Sequence, residues 1–119
     1  MEFLVSQGAD VNAMNNYGMT SLHFAAGNNK NKNIDVVKFL MSKGADVNAK
    51  SDEGWGWTPL HLAAAYNKNV EVAKFLVSQG ANVDAKNNDD LTPFDLAKEK
   101  GNEEITEYLS SIGAKSGKE

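Results

Sequence analysis

The chain has 119 residues, 41% of them hydrophobic, and carries 16 acidic and 12 basic side chains for a net charge of −4. This is the length of one domain, and the lack of cysteine excludes disulfide bridges and cysteine-ligated zinc. No apolar run reaches the roughly 18 residues of a membrane helix, and the basic residues are all lysines in an acidic chain, which disfavours nucleic-acid binding. We therefore expect an intracellular, cytoplasmic domain that binds neither nucleic acid nor membrane.

Two patterns recur along the chain, which predicts a repeat protein. An eleven-residue pattern that starts at Phe3 returns with few changes at Phe39 and Phe75, and a degraded copy begins at Tyr108. The spacings between these aromatic residues are 36, 36 and 33. A period in this range indicates stacked supersecondary units.

Each unit is predicted to contain two short helices followed by a finger. Helix A starts at a threonine N-cap, with proline in the first helical position of two units. Helix B follows an asparagine N-cap, has an acid in its first turn and ends at a glycine in the left-handed conformation. The extended stretch that comes next leads to a turn, which indicates a hairpin-like finger. The N-caps are Thr20, Thr58 and Thr92 for helix A and Asn33, Asn69 and Asn102 for helix B.

These patterns carry a family resemblance. The Thr-Pro-Leu-His-Leu-Ala-Ala of residues 58–64 and the Gly-Ala-Asp-Val-Asn-Ala of residues 44–49 resemble the ankyrin repeat, and the resemblance covers essentially the whole chain. It implies an all-α repeat solenoid of stacked antiparallel helix pairs with projecting β-hairpin fingers, and a protein-binding surface on the finger tips and helix A. We divide the single domain, residues 1–119, into a half-repeat 1–13, repeats 14–49 and 50–85, and a C-terminal capping repeat 86–118.

The two ends of the chain differ in polarity. The N-terminal half-repeat lacks a helix A and would expose Phe3, Leu4 and Val5. We interpret this either as a larger protein interrupted within a repeat or as self-association through the exposed half-repeat. The last repeat has the polar outer face of a capping repeat, and we expect residues 115–119 to fray.

The sequence offers little for catalysis or metal binding. His23 and His61 are the only imidazoles, at equivalent positions on stacked helices whose axes lie about 8–10 Å apart, too far for a shared metal. We expect each histidine to hydrogen-bond near its threonine cap. Gly54 and Gly56 precede a helix A and lack the Gly-Lys-Ser/Thr of a phosphate loop. We therefore predict no catalytic residue, no metal site, no cofactor and no enzymatic activity.

Two asparagines fit a modification pattern. Asn12 and Asn48 each follow a leucine by eight residues, which is similar to asparagines that are hydroxylated in ankyrin repeats of animal cells. The same spacing belongs to the repeat itself, so a modified and a purely structural asparagine both stay open.

The sharpest functional signal is an insertion in the second unit. Relative to the usual unit of about 33 residues, two extra residues place Trp55 and Trp57 in a finger where the first unit has only Gly18 and Met19. Large aromatic residues anchor interfaces, although one of the two could instead pack against the next finger. We expect replacement of both by alanine to weaken binding by at least about 2 kcal/mol with little loss of stability.

We predict a non-catalytic protein–protein interaction module whose partner has a basic or neutral face. The alternative is a targeting or regulatory segment of a larger enzyme or of a host-directed effector. The predicted partner-binding residues are Asn16, Tyr17, Met19, Asn28, Asp52, Glu53, Trp55, Trp57, Tyr66, Asn88, Asp89 and Leu91.

Overall fold

The computed structural model describes residues 11–15, 18–28, 33–51, 55–67 and 69–117. Within these ranges the chain forms six α-helices, and no described residue lies in a β-strand. The helices are α1 (Ser21–Gly27), α2 (Asn33–Ser42), α3 (Pro59–Tyr66), α4 (Val70–Ser78), α5 (Pro93–Glu99) and α6 (Glu103–Ser111). They make three successive A–B pairs, as the sequence predicts.

The pairs stack in two layers. Helices α1, α3 and α5 pack on one another in one layer, while α4 contacts both α2 and α6 in the other. The core between the layers contains fully buried leucines such as Leu22, Leu60 and Leu76. Alanines in the A helices, including Ala63 and Ala64, are also fully buried, and their small side chains let neighbouring helices approach closely. The all-α repeat solenoid is confirmed.

Each A helix starts in the predicted way. The threonine side chains at positions 20, 58 and 92 accept a hydrogen bond from the backbone N–H three residues later, and the side chain of that third residue accepts one from the threonine backbone N–H. Two orphan N–H groups of the helix end are thereby satisfied reciprocally. The third residue is His23 in α1, His61 in α3 and Asp95 in α5.

The B helices start less uniformly than predicted. The Asn69 side chain accepts a hydrogen bond of 3.0 Å from the backbone N–H of Glu71 and caps α4. The prediction that Asn102 caps α6 in the same way is wrong, since its side chain makes no capping bond. Its amide instead donates to the carbonyl oxygens of Ala64 and Asn67 at the end of α3. Helix α2 includes Asn33 as its first residue. The B helices end as expected, at Gly44, Gly80 and Gly113 with φ of 91°, 95° and 86°.

A backbone hydrogen bond closes the base of each finger. We define finger 1 as residues 15–19, finger 2 as 51–57 and finger 3 as 87–91. The N–H of the first residue donates to the carbonyl of the last at 3.0, 2.9 and 2.9 Å, respectively. The span is five residues in fingers 1 and 3 but seven in finger 2, so the two extra residues lie where the sequence predicts them. The described finger residues form no β-ladder. The five or seven residues of each finger are mostly used by the turn itself.

Residues 115–117, the last that the structure describes, are held by hydrogen bonds to the preceding residues. The backbone N–H of Lys115 donates to Asp84 Oδ1 at 3.1 Å, its carbonyl accepts from Thr92 Oγ1 at 2.8 Å, and the N–H of Gly117 donates to Asp95 Oδ2 at 2.8 Å. Burial opposes ionisation of Asp95, but the hydrogen bonds from Ser116, Gly117 and Thr92 together hold the pKa of this carboxyl below its usual value. The prediction of fraying is therefore wrong for residues 115–117, because these bonds continue the contacts that one repeat makes with the next.

Candidate protein-binding groove

Finger 2 and α3 form an apolar groove on the surface. Its volume is about 300 Å³. We call it the aromatic groove and define it by its lining residues Met19, Ser51, Trp55, Trp57, Leu62 and Tyr66. Met19 comes from finger 1, so the groove spans two neighbouring repeats.

Three aromatic rings dominate this groove. The Trp57 and Tyr66 rings are stacked, with centroids 6.0 Å apart and planes 21° from parallel. Trp55 stands edge-on to Trp57, at 6.1 Å and 73°. Both geometries are preferred arrangements of aromatic pairs. Trp55 is 55% exposed and Tyr66 50%, whereas Trp57 is half-buried. The three rings of Trp55, Trp57 and Tyr66 enclose an apolar corner of the groove, and Trp55 forms one side of it.

Polar contacts hold finger 2 at its base and at Trp55. The Trp57 carbonyl accepts hydrogen bonds from the Ser51 N–H at 2.9 Å and from His23 Nε2 at 2.8 Å. The Trp55 carbonyl accepts one from the Asn88 N–H of finger 3 at 3.0 Å. Gly56 lies between the two tryptophans with φ of 67°, and a Cβ at this position would collide with the Asn88 side chain. These contacts hold the backbone from Trp55 to Trp57 in place.

Comparison with known protein families agrees with this architecture. The family model described as ankyrin repeats (3 copies) matches residues 1–51 and 30–118. The chain belongs to the ankyrin repeat family. No curated protein was found to match it. Ankyrin repeats are generally protein–protein interaction modules, and the family is typically non-catalytic.

The two histidines are structural links between ankyrin repeats. Nδ1 of each accepts a hydrogen bond from the backbone N–H of its threonine cap at 3.0 Å. Nε2 must therefore carry the proton, and it donates to the carbonyl of Trp57 from His23 and of Leu91 from His61. Burial lowers the pKa of both imidazoles, that of His61 to about 4. The expected contact with the threonine cap is confirmed, and each ring additionally supports the next finger.

The predicted binding residues fall into three groups. Met19, Trp55, Trp57 and Tyr66 meet in the aromatic groove. The remaining described residues lie outside it. Asn88 and Asp89 are exposed in finger 3, Leu91 is half-buried at its base, and the Asn28 carbonyl accepts a hydrogen bond from Asn67 Nδ2. The others, Asn16, Tyr17, Asp52 and Glu53, fall outside the described residues, as does most of the half-repeat proposed for self-association.

Two residues of the groove, Leu62 and Ser51, were not among the predicted binding residues. Leu62 lies one helical turn before Tyr66, and this i, i+4 spacing could have placed both on one face of α3. Ser51 gives no such signal, because its role depends on the closure of finger 2. Its hydroxyl oxygen accepts a hydrogen bond of 3.0 Å from the Trp57 N–H.

The residues that the structure describes show neither a metal-binding cluster nor a membrane-spanning helix. Among the described residues, no three histidine or acidic side chains cluster so that they could hold a metal ion. None of the six described helices has the length and apolarity needed to cross a membrane.

Proposed function

We propose that this ankyrin domain binds a partner protein through the aromatic groove and carries out no catalysis itself. The observation that supports the proposal is the exposure of Trp55, which keeps 55% of its surface accessible although its backbone carbonyl is hydrogen-bonded to Asn88. A folded chain gains nothing from leaving so large an apolar ring in water. An exposed apolar patch rimmed by polar residues is typical of an interaction site.

The groove has the composition of an interface centre. Tryptophan and tyrosine are enriched among the residues that dominate binding energy, because they bury a large area at low entropic cost. Asn88 and Asp89 of finger 3 supply an exposed polar border next to Trp55. An apolar centre with a polar border is the usual anatomy of such surfaces.

Hydrogen bonds to the backbone of both tryptophans favour affinity. The bonds from His23 and Asn88 hold the two tryptophan carbonyls before any partner arrives. Little backbone entropy is then lost at residues 55–57 on binding. The acidic net charge of −4 favours a partner with a basic or neutral face.

Quantitative capture tests this function. The immobilised wild-type chain, the Trp55→Ala variant and the Ile112→Ala variant are incubated with the same cell lysate, and retained proteins are quantified by mass spectrometry. Ile112 is the matched control, since it is an exposed apolar residue, 41% accessible, that does not line the groove. We expect at least one protein to be retained by wild type and Ile112→Ala and lost from Trp55→Ala. Equal retention by all three chains would contradict the proposal.

A further inference from the structure

A second cavity lies beside the aromatic groove, and Tyr66 lines both. Its volume is about 390 Å³. We call it the acidic cavity. Besides Tyr66, it is lined by Ala65 at the end of α3, by Lys100 to Asn102 after α5, and by Glu103 and Glu104 at the start of α6. The two cavities are therefore neighbours on either side of Tyr66, and we call the pair the track.

The two halves of this track differ in chemistry. The aromatic groove is mostly apolar, and the hydroxyls among its described lining residues are those of Ser51 and Tyr66. The described lining of the acidic cavity carries two carboxylates, Glu103 and Glu104, and one ammonium group, Lys100 Nζ, which lies 5.8 Å from the centroid of the Tyr66 ring. A cation over an aromatic face is attracted to it, and the remaining charge of this cavity is negative.

Negative charge also borders the other end of the track. Asp89 and Asp90 are exposed at the tip of finger 3, whose Asn88 is hydrogen-bonded to the Trp55 backbone. The whole chain carries a net charge of −4. A second copy of the chain would bring the same excess of acid and be repelled, whereas a basic segment would be attracted along the whole track.

The dimensions indicate an extended occupant. Cavities of about 300–1,000 Å³ are the range that holds small ligands, so each half of the track admits one or two side chains. Two such neighbouring cavities suit alternate side chains of an extended segment, because successive side chains of such a segment point to opposite sides. Within the described part of the chain, no acceptor is bonded to either indole N–H. These donors are available for the backbone carbonyls of such a segment.

We propose that the aromatic groove and the acidic cavity together bind one extended basic segment of the partner protein. An apolar side chain of that segment packs in the corner formed by Trp55, Trp57 and Tyr66. A lysine or arginine at a fixed distance along the segment lies beside Glu103 and Glu104. The inference rests on the proposed function, because it specifies what the same groove recognises.

Peptide selection tests the inference. A random-peptide library displayed on phage is selected on the immobilised full chain, and the retained peptides are sequenced. We expect an aliphatic residue or proline at one position and lysine or arginine at a constant spacing from it. The consensus peptide is then synthesised with a fluorophore, and its dissociation constant is measured by fluorescence anisotropy.

Substitutions in the chain show which cavity binds which half of the consensus peptide. Trp55→Ala should weaken binding by about 30-fold, as expected for a central aromatic anchor. Glu103→Gln combined with Glu104→Gln should weaken it by about threefold to tenfold, as expected for two exposed ion pairs. The control is Asp35→Asn with Glu71→Gln, which makes the same charge change in the first turns of α2 and α4. It should leave the dissociation constant unchanged at equal salt.

The possible outcomes separate this inference from the proposed function. Selected peptides that have an apolar position but no basic one, or a consensus peptide that binds the glutamine double variant as tightly as its control, would overturn the inference. Sensitivity to Trp55→Ala would in either case still support the groove as a binding site. Failure to enrich any peptide would overturn the inference alone, since capture of a folded partner tests the proposed function independently.

Discussion

At the scale of single residues, the neutral state of the histidines is the feature with the clearest consequence. His61 is fully buried, with Nδ1 accepting from the Thr58 N–H and Nε2 donating to the Leu91 carbonyl. A second proton on Nδ1 would break the first of these bonds. The sequence predicted the contact with the cap but not the contact with finger 3, because Leu91 is 30 residues away.

Acidification should therefore destabilise the fold. Burial depresses the pKa of folded His61 to about 4, while the unfolded imidazole titrates near 6.5. The stability contributed by the neutral ring is complete above the unfolded pKa and is lost as the pH falls towards the folded pKa. Lowering the pH from about 7 to about 5 should reduce the free energy of unfolding by about 2 kcal/mol, because of His61. Urea denaturation at the two pH values measures this loss. A His61→Gln variant should show a shallower pH dependence, and parallel curves for the two proteins would contradict this explanation.

Gly56 is the second position where one residue decides local structure. It combines a φ of 67° with a site where a Cβ would meet the Asn88 side chain, whereas Gly80, with φ of 95°, has open space around it. Gly80→Ala should cost about 1–2 kcal/mol for the left-handed backbone alone. Gly56→Ala should cost more, because the contact with finger 3 is added, and thermal unfolding can compare the two variants. Equal losses would mean that Asn88 moves aside freely.

At the scale of elements, the turns between helices A and B connect successive repeats. Asn67 Nδ2 donates to the carbonyls of Ala26 and Asn28, both at 3.0 Å, and Asn102 does the same for the end of α3. The helix starts could be predicted from sequence, because threonine, proline and asparagine act on residues close to them. The role of Asn102 could not, since its partner Ala64 lies 38 residues earlier.

The two asparagines of the second turn should differ in their effect on stability. Asn67 is 1% exposed and its replacement by alanine leaves buried carbonyls unsatisfied, which should cost about 2–3 kcal/mol. Asn69 is exposed and caps α4 through one bond to the Glu71 N–H, so Asn69→Ala should cost about 1 kcal/mol. Urea denaturation under identical conditions measures both. A larger loss for Asn69→Ala would contradict the assigned roles.

At the scale of the whole molecule, the stack is elongated, with extents of 43 × 29 × 21 Å. Its repeat architecture was predictable because each unit carries the same local signals. The contacts of residues 115–117 were not predictable. Asp95 stands at the position that a histidine has in the other two repeats, and its side chain accepts a hydrogen bond from the Gly117 N–H instead of contacting another finger. The repeat boundaries, and the alternative of a segment of a larger enzyme or effector, stay predictions.

The candidate site was predictable in part. The sequence singled out Met19, Trp55, Trp57 and Tyr66 because they are large apolar residues at finger and helix ends. It could not distinguish the roles of the two tryptophans, which depend on packing. Trp57 is half-buried between Tyr66 and His61, so its replacement should cost stability, contrary to the expectation for the pair. Replacement of the exposed Trp55 should therefore weaken binding without a comparable loss of stability.

The most direct test of the central claim is a paired measurement on Trp55→Ala. The dissociation constant for a partner captured by wild type and the unfolding free energy in urea are measured for Trp55→Ala and for the Ile112→Ala control. We predict that Trp55→Ala loses at least about 2 kcal/mol of binding free energy while its unfolding free energy changes by less than about 0.5 kcal/mol, and that the control changes neither. Unchanged binding, or equal losses of binding and stability, would contradict the account.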